Sequence, residues 1–124
     1  MYELVVTSQF SAAHNLREYQ GKCEALHGHN WRVDVFVRAN SLGADGMVID
    51  FRVLKEETEK VLETLDHQYL NDLPFFKNAE PSSENIARYI YEALEERLRS
   101  YRHRPYRVTA WESERAGVSY VREE

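Results

Sequence analysis

From Tyr2 to Ala13 the apolar residues keep to one parity, with Tyr2, Leu4, Val6, Phe10 and Ala12 on alternate positions. Successive side chains of a strand leave opposite faces, so this pattern predicts a strand with one face toward a core. A connection from Asn15 to Leu26 leads to a second such run. There Trp31, Val33, Val35 and Val37 share one face, and Arg32, Asp34 and Arg38 the other. The stretch NSLGADG is turn chemistry, after which the period changes. Asp50 is a good N-cap, and Phe51, Leu54, Thr58, Val61, Leu62 and Leu65 follow at helical spacing. LNDLPFFKNAEPSS breaks that helix, and Ser82 or Ser83 can cap a second one with the stripe Ile86, Tyr89, Ile90, Ala93, Leu94 and Leu98. After Pro105, Tyr106, Val108 and Ala110 alternate as a third strand, and Gly117 to Val121 makes a short fourth. The order ββααββ with short connections predicts two antiparallel hairpins in one sheet and both helices on one of its faces, an α+β fold. Such a sheet leaves two edges to be managed, and association between copies is one way to do it.

The chain of 124 residues has the length of one ordinary domain, expected to span 1–124, with no internal repeat or linker. No stretch reaches the roughly 18 apolar residues of a membrane helix. MYELVVTSQF lacks the basic start and long apolar run of a signal peptide, and a single cysteine forms no internal disulfide, so a cytoplasmic location is expected. The formal charge of −5 argues against nucleic acid as the main partner. Basic residues do gather in RLRSYRHRPYR, Arg97 to Arg107, as a solvated helix end and loop or as a patch for a small anion.

Chemistry concentrates in KCEALHGHN, Lys22 to Asn30. His27 and His29 are two apart on the second strand and share the apolar face of Trp31; His14 holds the inward parity of the first strand. Three imidazoles thus converge at one end of a hairpin. Neutral imidazole suits zinc, and three protein ligands with an open fourth position describe a catalytic site. The alternative is three core histidines that merely hydrogen-bond. Cys23 is open to three readings: a fourth zinc ligand that closes the site, a thiolate nucleophile or base, or a small buried hydrophobe. Its loop position between Lys22 and Glu24 counts against burial. LDHQYLN places Asp66 and His67 where the first helix ends, as a C-cap or as a carboxylate-oriented acid/base pair. Glu112 ends the apolar parity of the third strand, where it either turns to solvent or accepts a bidentate bond from an amidine-like ligand edge.

The blocks FSAAH, CEALHGHNW, GMVIDF, LDHQYLN, PSSENIA and VTAWES occur in that order over nearly the whole chain. Together they resemble the 6-pyruvoyltetrahydropterin synthase / 6-carboxytetrahydropterin synthase family. The resemblance implies the tunnelling fold (T-fold), a four-stranded antiparallel sheet carrying two helices, with sheets joined into a barrel in the oligomer. It implies a homohexamer built of two trimers with active sites at subunit interfaces. It implies zinc on His14, His27 and His29, a catalytic Cys23 that is not a ligand, Asp66 and His67 completing the relay, and Glu112 anchoring the pterin ring. Ser82 and Ser83, sufficient as helix caps, are further candidates to touch the ring. The implied substrate is 7,8-dihydroneopterin triphosphate, with Arg17, Lys22, Arg32 and Arg88 as candidate triphosphate contacts. Iron or nickel would also suit an all-imidazole site, so zinc rests on the family and on ligand preference.

Three residues separate Cys23 from His27, a gap that resembles the bacterial and archaeal 6-carboxy-5,6,7,8-tetrahydropterin synthases of queuosine (7-deazapurine) biosynthesis. The expected activity is therefore that of a zinc-dependent lyase releasing acetaldehyde and triphosphate. The pyruvoyl-forming reaction is one alternative. Glu24 directly after Cys23 keeps a second one open, because some relatives carry glutamate in the cysteine's place and release 6-hydroxymethyldihydropterin for folate. A zinc- or pterin-binding module without turnover is the alternative outside enzymes.

Overall fold

The alternating runs form the expected strands in a computed structural model that describes residues 1–123. Strands β1 (Tyr2–His14) and β2 (His27–Ala39) pair antiparallel over their whole length. Helices α1 (Phe51–Glu63) and α2 (Ser83–Arg97) follow, and then β3 (Pro105–Trp111) and β4 (Gly117–Val121). Two short 3-10 turns, Leu70–Asp72 and Pro74–Lys77, fill the connection between the helices. The sheet order is β1-β2-β3-β4, so β1 and β4 are its edges.

The inward parity of the strands meets the helix stripes. Phe10, Trp31, Val33, Val35, Val108 and Ala110 are buried beneath Leu54, Leu62, Ile90 and Leu94. Phe10 and Trp31 stack with centroids 5.2 Å apart. Asp50 caps α1 by accepting from the Arg52 N–H at 2.8 Å, and Thr58 hides its hydroxyl in the apolar stripe by donating to the Leu54 carbonyl at 2.7 Å. Ser82 caps α2 by accepting from the Asn85 N–H at 3.2 Å.

Three side chains depart from the expected pattern: Tyr2, at the start of β1, is 49% exposed, and Phe51 and Tyr106 differ as well. Phe51, the first residue of α1, is 57% exposed, because the stripe reaches the core only from Leu54 onward. The register slips between Phe36 and Val37, so that Pro105 is buried and Tyr106 leaves the inward parity to lie under the Arg38 guanidinium, 3.7 Å from its ring.

The face away from the helices is polar. Asp34 accepts there from the Thr7 hydroxyl at 2.7 Å and from the Trp111 indole at 3.0 Å. One end of the β1 edge is covered by the segment after α1, where His67 N–H donates to Ser11 O and Ala13 N–H to Gln68 O. Among the described residues, no helix is long and apolar enough to cross a membrane.

Candidate metal centre

The hairpin register sets the site. His14 lies opposite His27 and Ala12 opposite His29, so three imidazoles leave the helix-facing side at one end of the sheet. Their ring centroids stand 4.6 to 5.3 Å apart, with the buried Trp31 ring 4.9 Å from His14 and 5.2 Å from His29 as an apolar floor. The rings are fixed from behind. His14 Nδ1 donates to the Pro81 carbonyl at 2.7 Å and His27 Nδ1 to the Ala25 carbonyl at 2.8 Å, which leaves both Nε2 atoms as lone-pair donors. His14 Nε2 is buried with no hydrogen-bond partner, and so is His29 Nε2, two uncompensated ring nitrogens side by side. Burial holds the His14 pKa below its ordinary value, the Pro81 bond opposing and the two neighbouring imidazoles assisting, so the ring is neutral as a ligand must be.

Glu112, one residue past β3, joins them. Its Oε1 is 2.8 Å from His29 Nε2, off the axis of a proper hydrogen bond, and its Oε2 accepts from the Ser83 hydroxyl at 3.3 Å. The donor atoms of His14, His27, His29 and Glu112 all lie within 4.8 Å of one another. Neutral nitrogens oriented by carbonyls, an orphaned Nε2 and one carboxylate fit a borderline-soft dication such as zinc.

Cys23 is not in this group. Its thiol is exposed and makes no hydrogen bond among the described residues, which sets aside the buried reading and leaves the thiol outside the four-donor group. Its neighbour Glu24 turns inward: the carboxylate accepts from the Leu16 N–H at 3.0 Å and stands 4.0 Å from His27 Nδ1. Glu24, His14, Ser82, Ser83, Glu112 and Arg115 line one groove of about 430 Å³. Arg115 is exposed at the rim of this groove, in the turn that brings Glu112 back toward β4.

Asp66 and His67 form the expected pair, with Asp66 Oδ2 2.9 Å from His67 Nδ1. The Ser11 N–H, donating to the other Asp66 oxygen at 2.9 Å, is the main reason the Asp66 pKa is lowered, and His67 adds to it. His67 has a φ of 59° and an exposed ring. It lies in a depression lined by Ser11, Ala13, Gly28 and Asn30 of the sheet's open face together with Ala12 and His29. The structure therefore joins the three histidines with Glu112, Ser82 and Ser83, and sets the Asp66–His67 pair on the other side of the strands.

The four candidate phosphate contacts are dispersed. Arg17 is engaged within the fold, donating to Glu80 and to the Asn71, Ala79 and Phe76 carbonyls. Arg88 pairs with Glu92 on exposed α2 at 2.8 Å, Arg32 covers Trp111 on the open face, and Lys22 closes a turn with Tyr19.

Comparison with known proteins agrees with this geometry. Residues 3–123 match the family model for 6-pyruvoyl tetrahydropterin synthase. The chain is 45% identical over 92 residues to the 6-carboxy-5,6,7,8-tetrahydropterin synthase of Synechocystis sp., covering 70% of each chain. The solved Caenorhabditis elegans 6-pyruvoyl tetrahydropterin synthase superposes with a TM-score of 0.85 at 30% identity, covering 98% of this chain and 96% of that one. A Plasmodium vivax 6-pyruvoyltetrahydropterin synthase whose catalytic glutamate is replaced by alanine superposes with a TM-score of 0.79 at 27% identity, covering 99% and 98%. The sheet with its two helices is the T-fold of these structures.

Proposed function

The chain belongs to the 6-pyruvoyl tetrahydropterin synthase family, and from that premise we propose that it is a zinc-dependent 6-carboxy-5,6,7,8-tetrahydropterin synthase. It would convert 7,8-dihydroneopterin triphosphate and water to 6-carboxytetrahydropterin, acetaldehyde and triphosphate, in the service of queuosine and other 7-deazapurine synthesis. The observation that carries the reading is a three-imidazole cluster whose neighbouring carboxylate, Glu112, also accepts from Ser83, a carboxylate–serine pair able to grip an aminopyrimidinone edge beside the metal donors. The 45% identity to the Synechocystis enzyme favours the carboxylated product over its relatives.

His14, His27 and His29 would hold the metal through Nε2. When bound, the metal lowers the pKa of side-chain hydroxyls placed against it, as it does for water. Glu112 accepts from the ring N–H and exocyclic amine and so fixes which substrate atoms reach the centre. Ser83 adds a hydroxyl to the same edge, while Ser82, committed to the α2 cap, shapes the groove. Cys23 as thiolate removes and returns side-chain protons, and His67, held by Asp66, is the complementary acid/base. The placement of that pair on the open face of the sheet supports a site shared between copies, one supplying Cys23 and its neighbour the Asp66–His67 pair. A homohexamer of two trimers, its sheets closing a barrel in the cytoplasm, meets that need and covers the sheet edges.

One observation favours a second reading. Glu24, not Cys23, lines the groove, and a relative of the same fold uses a catalytic glutamate. With Glu24 as the proton acceptor the product is 6-hydroxymethyldihydropterin. Cys23→Ala and Glu24→Gln separate the two, since glutamine keeps the bond from Leu16 N–H. On the carboxy reading Cys23→Ala loses at least about 100-fold in rate, the usual contribution of a general base, and Glu24→Gln keeps the carboxylated product. The reverse pattern assigns the chain to the hydroxymethyl reaction.

A further inference from the structure

Glu112 belongs to two constellations at once. One oxygen lies 2.8 Å from His29 Nε2 within the four-donor group, and the other accepts from Ser83 at 3.3 Å. A ring edge that offers an N–H beside an amine is gripped best by both oxygens of one carboxylate. While Oε1 sits among the imidazoles, that grip is unavailable, so the two engagements compete for the same atom.

The neighbours decide which donor moves. His14 and His27 are locked by the Pro81 and Ala25 carbonyls. Glu24 is held by Leu16 N–H and approaches His27 only from its Nδ1 side, 4.0 Å away, so it cannot replace Glu112. Glu112 has its backbone anchored by donation to Ala116 O at 3.0 Å, while its side chain is 37% exposed and held by one long hydroxyl contact. It is the donor with room to turn.

We infer that Glu112 is a substrate-responsive fourth metal donor: without pterin its Oε1 completes the donor set of His14, His27 and His29, and the docking ring draws that oxygen away and opens the fourth position. The inference rests on the pterin reading of the groove and deepens it. A position filled by a carboxylate is closed to water and to stray anions, and only a ligand that interacts differently with the two arrangements can shift them. Opening is thereby tied to recognition of the aminopyrimidinone edge, which makes Glu112 a determinant of specificity as well as of affinity.

The test needs no turnover. Protein loaded with cobalt(II) would be titrated with azide, read by the visible absorption of the metal, with and without unsubstituted pterin. Wild type alone is expected to bind azide at least tenfold more weakly than Glu112→Ala, with Glu112→Gln as a second variant in case alanine impairs folding. Pterin is expected to bring wild type to the variant's azide affinity and to leave the variant's unchanged. Equal azide affinities in wild type and both variants, without pterin, overturn the fourth-donor assignment. Pterin fluorescence in the same samples measures ring binding separately. Failure of wild type to bind pterin sinks the pterin reading and the opening step together, whereas pterin that binds without changing azide affinity sinks the opening step alone.

Discussion

Replacing Arg17 with alanine separates a residue that grips substrate from one that holds the site together. Its guanidinium donates to the Asn71 carbonyl at 3.1 Å, the Phe76 carbonyl at 2.5 Å and Glu80 at 3.1 Å, and its backbone N–H donates to Glu80 at 2.7 Å. These contacts tie the loop after His14 to the segment that ends at Pro81, whose carbonyl orients the His14 ring. The two shorter side-chain bonds to backbone carbonyls are worth about 1 kcal/mol each, and the third, to Ala79 at 3.4 Å, adds little. The Glu80 pair is a third exposed and adds less than ~1 kcal/mol after solvent screening. Arg17→Ala should therefore cost about 2–3 kcal/mol, a fall of roughly 8–12 °C in melting temperature at about 4 °C per kcal/mol for a chain of this size. Circular-dichroism melts at one fixed protein concentration measure it, and steady-state kinetics well below the transition measure KM for the triphosphate substrate. The melt is expected to move and KM to stay within about threefold, a difference under ~0.7 kcal/mol. An unchanged melt with KM raised about tenfold, the loss of ~1.4 kcal/mol of phosphate binding, would refute that expectation and make Arg17 a substrate contact.

Three further outcomes follow from the same geometry. Asp66 is a carboxyl whose folded pKa is lowered, so the stability it supplies is full above its ordinary value of 3.8 and is lost as pH falls through the folded value. Denaturant midpoints of Asp66→Asn should thus trail wild type at neutral pH and converge with it in acid; a gap independent of pH would contradict this. A Cβ at position 117 would stand 2.6 Å from a Trp111 ring carbon, and Trp111 is pinned by its bond to Asp34, so Gly117→Ala should lose about 1–3 kcal/mol in chemical denaturation. Zinc at about 100 times its Kd should stabilise the apoprotein by ~2.7 kcal/mol, measured by calorimetry, and His14→Ala should abolish most of that gain.

The parts of the site carried by strand parity were legible in the chain. His14, His27 and His29 follow from the same alternation that buries Phe10, Trp31 and Val33, and the hairpin register needed only the inward rule to bring the rings together. Glu112 continues the parity of Val108 and Ala110 in the same way. Tyr106 was misplaced because a one-residue slip in pairing has no period of its own. The loop between β1 and β2 was legible only as a loop. Its path is fixed by side-chain to backbone bonds from Arg17, Glu24 and Asn71, each between residues distant in sequence or otherwise unremarkable. That is why Arg17 looked like a phosphate contact and why the inward turn of Glu24 was invisible, whereas the loop position of Cys23 already argued against its burial. The Asp66–His67 pair was found by type, but its place on the open face follows from its strand-like pairing with Ser11 and Ala13, which no local pattern announces.

Product identification tests the proposed reaction most directly. Zinc-loaded protein is incubated with 7,8-dihydroneopterin triphosphate, the pterins are resolved by mass spectrometry, and acetaldehyde is assayed in parallel. 6-Carboxytetrahydropterin and acetaldehyde are expected in equal amounts, both absent after chelation. A 6-hydroxymethyl or 6-pyruvoyl product, or turnover indifferent to the chelator, would contradict the proposed reaction.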